Sequence, residues 1–217
     1  MSDSHSEKAW DEFKWERFLQ EQEQRTEKYI ELIEKYMDHP QRDEIIAREM
    51  GWKHMLDGES RDWEEEVDAA FEDEGSGKAD GSQEGVAGFG FERNPIYQKA
   101  LSFNDELDEM IECSDEKVKE HPAMHALTNQ VNIATAKLVA ALNDDDVEEL
   151  GMSIAYLKRA LSALNLALNA TMQLLEGGFI GELVFGVLRG RIFDIRDDIV
   201  TTVGEYRAEF RRRHGRN

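Results

Sequence analysis

From Ile96 to Tyr206 the apolar positions recur at alternating steps of three and four residues, in four successive stretches. The first holds Ile96, Ala100, Phe103, Leu107 and Met110. The second holds Met124, Leu127, Val131, Ala134, Leu138 and Ala141. The third runs through Val147, Leu150, Ile154, Leu157, Leu161, Leu164 and Leu168, and the fourth through Leu188, Ile192, Ile195, Ile199, Thr202 and Tyr206. Such spacing keeps one side of an α-helix apolar and calls for a partner along a near-parallel axis. With short connections between stretches, the pattern predicts an all-α fold, an antiparallel up-and-down four-helix bundle over residues 95–213.

Local signals place the ends. Asn94-Pro95 reads as an N-cap followed by proline in the first turn of a helix reaching about Cys113. Pro122 opens a second helix, to about Leu142, and Asp145 with Glu148 is spaced as a capping box for the third. Gly177-Gly178 ends that helix, and the fourth follows to about Arg212. The polar stretch 114–120 reads as a connection.

Upstream, residues 1–74 read as an acidic segment of about three helices. The first runs from about Glu7 to Tyr36, polar all round between Gln20 and Thr26 and closed by His39-Pro40. The second spans about Gln41 to Leu56 and the third Arg61 to Glu72, with Trp63 on its apolar face. Residues 75–94 form a glycine-rich linker, in which Phe89 and Phe91 are the exceptions that would dock. Residues 214–217 are a basic tail. The third and fourth bundle helices are longer than the other two. Their overhang would bare Ile154, Leu157, Ile199, Val203 and Phe210 unless the aromatic amino-terminal helices or a second subunit cover them.

Charge narrows the function classes. The 217 residues carry a formal −21, with a pI near 4.6. A surface so negative works against nucleic-acid binding and against docking on anionic membranes. The charge is also lopsided. Residues 1–75 hold 24 acidic and 10 basic side chains, whereas residues 178–217 hold 6 and 8. One cysteine, Cys113, cannot form an internal disulfide and fits a reducing compartment. With no signal-like apolar stretch in residues 1–13 and no membrane-length apolar run, the expected location is cytoplasmic.

Candidate chemistry is sparse. A di-iron bundle needs Glu-x-x-His on two helices, but no histidine here has a glutamate three residues before it, and the four seams contain no carboxylate. His121 and His125, four apart, are the candidate metal ligands, although Pro122 makes His121 the residue before the helix. Glu44 to Trp52 has the form of the first helix and turn of a helix-turn-helix, but Asp57-Gly58 stands where the next helix should bring an aliphatic residue. Gly186 and Gly190, one turn apart, with Gly204 beyond, suggest close approach of another helix or a ligand over bare backbone. Arg207 and Arg211 to Arg213 form the concentrated basic patch. No cofactor motif is present.

Asn94-Pro95-Ile96-Tyr97-Gln98-Lys99-Ala100 and the join Leu174-Leu175-Glu176-Gly177-Gly178-Phe179-Ile180 are similar, mostly in helix spacing over residues 95–210, to small bacterial four-helix proteins encoded within ribosomal RNA intervening sequences. The resemblance implies a four-helix fold. Those proteins tend to be basic, and this chain departs from them by its acidity. The sequence therefore predicts a non-enzymatic interaction or assembly module whose partner is another protein or a second copy. Trp10, Trp15, Phe18, Trp63, Phe89, Phe91, Gly186, Gly190 and Phe210 are its candidate contact residues. Two alternatives stay open: a metal- or small-ligand-binding bundle, and a nucleic-acid-associated helical protein.

Overall fold

The computed structural model describes residues 9–52, 90–143 and 149–215. Among these the chain forms seven α-helices and no strand. They are α1 (Glu12–Tyr36), α2 (Arg42–Met50), α3 (Pro95–Glu112), α4 (Glu116–Lys119), α5 (Pro122–Leu142), α6 (Leu150–Glu176) and α7 (Glu182–His214), with a 3-10 turn, Gly90–Arg93, leading into α3. The expected third acidic helix with Trp63, most of the glycine-rich linker with Phe89, and the Asp145/Glu148 capping box lie outside the described residues. No described helix is long and apolar enough to cross a membrane.

The chain divides into two compact units, Met1–Glu16 with Ala87–Asn217, and Arg17–Val86. The boundary falls inside α1. In the second unit, α2 ends at Met50, six residues before the expected Leu56. Gly51 adopts φ 74°, which frees the Trp52 N–H to reach the Ala47 carbonyl at 2.8 Å and closes the helix. There the Tyr29 and Trp52 rings lie 5.4 Å apart, and Lys28 Nζ donates to the Glu49 carbonyl at 2.6 Å. The polar middle of α1, Gln20 to Thr26, is exposed.

In the first unit the sequence signals act as physical chemistry requires. Asn94 Oδ1 accepts from the Ile96 N–H at 2.9 Å, capping α3 behind Pro95. Gly178, at φ 71°, ends α6. The Phe179 N–H reaches the Leu174 carbonyl at 2.9 Å and the Gly178 N–H reaches Leu175 at 3.0 Å, satisfying carbonyls the helix leaves open. The stretch expected to be a plain connection, 114–120, contains the single-turn helix α4, whose Val118 packs on the core.

That core draws from α3, α5, α6 and α7 together. α3 packs against α5 and α7, α5 against α6, and α6 against α7. Among the described residues its interior is apolar apart from Ser153 and Thr171, and the Thr171 hydroxyl donates to the Ala167 carbonyl at 2.8 Å. Two seams differ from those expected: α7 buries Val203 and leaves Thr202 half-buried, and the larger change is on α6. Along α6 the buried stripe leaves Leu161 and Leu168 half-buried and passes instead through Ala160, Ala163, Ala167 and Ala170. A straight helix drifts against a seven-residue repeat, and the buried stripe moves with it onto the alanines.

Replacing fully buried Leu157 by alanine should cost about 2–5 kcal/mol. Ala167→Leu should cost about 1–3 kcal/mol by overpacking the α5–α6 contact. Urea denaturation followed by circular dichroism measures both. A neutral Ala167→Leu would mean the alanine edge is not close-packed.

Candidate functional site

Residues 10–16 lie on the start of α6 and the end of α7. Asp11 is the N-cap of α1, its Oδ1 accepting from the Phe13 N–H at 3.2 Å and the Lys14 N–H at 2.9 Å. The helix therefore begins at Glu12, not near Glu7. Once it has begun, Glu12 and Glu16 are one turn apart on the same side. Glu12 takes a bidentate grip on Arg207 of α7, with Nη2 at 2.9 Å and Nε at 3.2 Å. Glu16 does the same to Arg159 of α6, Nε and Nη2 each at 3.2 Å. The Arg159 side chain is 12% exposed and that of Glu16 26%, so solvent screens this pair less than the others.

Gly151, in the first turn of α6, makes the approach possible. A Cβ there would run into the Trp10 carbonyl oxygen, and would stand 3.0 Å from Trp15 Cδ1 and 3.1 Å from the Asp11 carbonyl carbon. The Trp10 and Trp15 rings sit 5.1 Å apart, and Lys158 Nζ lies 5.1 Å from the centre of the Phe13 ring. Beside this seat a half-open groove of about 250 Å³ is lined by Asp11, Glu12, Phe13, Ile154, Arg207, Phe210 and Arg211. Ile154, Phe13 and Phe210 give it an apolar character, and Arg211 is the arginine of this set without an ion pair. Its chemistry would suit a small apolar group with an anionic end.

Electrostatics beyond the groove are local. Glu209 receives Arg212 and Arg213 together, and these hydrogen bonds hold its carboxyl down at about 2. Lys99 of α3 bonds to Asp198 at 2.6 Å and lies 3.5 Å from Asp194, which raises its ammonium above the usual value. Arg191 pairs with Glu106, a second tie between α7 and α3. No protein family, curated protein or solved structure matches this chain.

The sequence candidates fare unequally. Trp10 and Trp15 sit at the seat, with Phe210 on the groove. Phe18 belongs to the other unit and is exposed. Phe91 lies edge-on to Tyr97 at 5.0 Å. His121 is the N-cap of α5. Its Nδ1 accepts from the Ala123 N–H at 3.1 Å, which fixes the neutral ring with its proton on Nε2, and the ring lies 4.0 Å from that of Phe179. His125 is exposed, and among the described residues no group of three His, Cys, Asp or Glu is gathered for a metal. Gly186, Gly190 and Gly204 face open space, and among the described residues no neighbouring helix approaches them. Gly151, Arg159 and Lys158 escaped the sequence reading. Glycine one residue into an apolar seam was the available signal.

Gly151→Ala should lift residues 10–16 from α6, read as faster amide exchange in that segment with protection in α5 unchanged; unchanged exchange would show that the contact is not close. Arg159→Ala should cost about 1–2 kcal/mol, between an exposed and a buried pair. For Glu209 the depressed folded value means its contribution is present above the ordinary carboxyl range and is lost progressively as pH falls from there through about 2. A carbon-13 titration should show that midpoint, moving upward in Arg212→Ala.

Proposed function

We propose that this chain is a non-enzymatic, cytoplasmic assembly module: an antiparallel up-and-down four-helix bundle preceded by an acidic helical segment, which associates with itself. The closed circuit of contacts from α3 to α5, α6, α7 and back to α3 supports the bundle, because in such a circuit each helix buries its seam against two neighbours. The acidic segment is supported by the charge of residues 1–75.

One observation carries the assembly reading. Large apolar side chains remain outside the core, and several stand on one helix: Leu183 is 84% exposed, Val200 57% and Val187 56%, all on α7. Burying such side chains contributes about 1.5–3 kcal/mol each, which is the drive an assembly surface uses. The overhang on α6 and α7 is no longer a candidate surface, because Ile154, Leu157, Ile199 and Val203 are buried and residues 10–16 lie at that end.

A small-ligand reading keeps one support, the groove beside Phe13 and Phe210. The nucleic-acid reading is weakened, since three arginines of its basic patch, Arg207, Arg212 and Arg213, are already paired with Glu12 and Glu209. Native mass spectrometry of the intact chain tests the proposal. An oligomer without additional mass is the expected result. A monomer, whether bare or carrying a bound ion or small molecule, would overturn it.

A further inference from the structure

The helix α7 carries two apolar seams, and only one is used. Leu188, Ile192, Ile195, Ile199 and Val203 enter the core. At 100° per residue, the opposite side carries a second run of alternating three and four, from Leu183 to Gly204. Three of its members project: Leu183, Phe193 and Val200. Three are bare: Gly186, Gly190 and Gly204, where an added Cβ would meet nothing within 4 Å. Asp197 stands between them. Glycine inside a helix is destabilising relative to alanine, and nothing among the described residues requires it at these positions.

We propose that this outer seam of α7 docks antiparallel on the same seam of a second copy of the chain, which rests on the assembly reading above. The seam is complementary to itself. Turned end for end, it brings Phe193 beside Gly190 of the second copy, and Leu183 beside Val200 of the second copy. Asp197 of the second copy then falls at Gly186, one turn from Arg189. Among the described residues neither the Arg189 guanidinium nor the Asp197 carboxylate has an ion-pair partner within the chain; Arg189 lies 5.4 Å from the centre of the Phe193 ring. The two-fold axis makes this exchange twice. Arg196, whose buried Nε also has no hydrogen-bond partner, lies on the same ring at 4.9 Å.

Charge selects a second copy for this seam. Two chains of −21 repel over most of their surface. Residues 178–217 hold 8 basic and 6 acidic side chains, so α7 is where two copies approach without that opposition. A single seam of this length is small for a specific interface, below about 1,200 Å², so the dimer is expected to be concentration-dependent.

Sedimentation equilibrium of the full chain, across micromolar concentrations, reads the dimer. Phe193→Glu with Val200→Glu should weaken it at least about tenfold with the helical signal and melting temperature kept. Gly190→Leu should weaken the dimer while not lowering the melting temperature, an opposition that a merely structural glycine would not produce. Arg189→Asp and Asp197→Arg should each weaken it, and the two together should restore it. In a Cys113→Ser background, chains carrying Leu183→Cys should crosslink to chains carrying Val200→Cys and not to themselves. Self-crosslinking of Leu183→Cys would overturn the antiparallel arrangement. A dimer indifferent to Phe193→Glu with Val200→Glu would overturn this face while leaving assembly standing. A wild-type chain that stays monomeric would overturn both.

Discussion

Unequal helix length governs this fold. α6 has 27 residues and α7 has 33, against 18 in α3 and 21 in α5. At 1.5 Å per residue α7 exceeds α3 by about 20 Å. Lys99, one turn into α3, reaches α7 at Asp198, so Arg207 and Phe210 lie about one and a half to two turns beyond that helix. An apolar seam continued past its partner needs a cover. The first turn of α1, entering from far away in sequence, lies at that end, and two further features follow. Gly151 must be bare, because the Trp10 carbonyl occupies the place of its side chain. The carboxylates of the covering turn must meet arginines on α6 and α7, because an acidic segment brought against a partly buried surface would otherwise leave desolvated charge.

The same logic explains how a chain of −21 holds its helices together. The ion pairs that join distant segments of the main unit each set a carboxylate against a cation drawn from a scarce supply. Glu12 meets Arg207, Glu16 meets Arg159, Glu106 meets Arg191, and Asp198 meets Lys99. Exposed pairs of this kind contribute little individually. Their value is in register, since a bidentate arginine fixes both separation and orientation. At the end of α7 the surplus of arginines is set against the negative end of the helix dipole, with Glu209 bridging two of them.

Much of the fold was legible because its causes are local. The seams of α3 and α5, the Asn94 cap and the Gly177-Gly178 end each rest on a few neighbouring residues and are present as read, and the α7 seam follows its expected course from Leu188 to Ile199 before burying Val203 in place of Thr202. The departures come from tertiary causes. On α6 the periodic leucines Leu161 and Leu168 gave way to Ala160 and Ala167, because a close neighbour rewards small side chains that a hydrophobicity pattern ranks low. The need for a cover over the long helices could be read from lengths alone, and the aromatic segment was named as a candidate for it. Gly151 and Arg159 could not be singled out, since their role depends on a segment about 140 residues away. The α7 glycines read as a packing device, and among the described residues no atom of the chain packs on them.

That last case bears on where function resides. Folding accounts for the inner seam of α7 completely, since its members are buried and their neighbours identified. It does not account for the outer one. A surface face shaped by folding alone would carry strong helix formers with polar ends. Here the run from Leu183 to Gly204 combines exposed aliphatic residues, which water disfavours, with three glycines, which the helix disfavours. Both features oppose the stability and solubility of the isolated chain, and neither relieves strain anywhere in its core. A face that is doubly unfavourable among the described residues would become favourable when a second surface fills its bare positions and covers its projections.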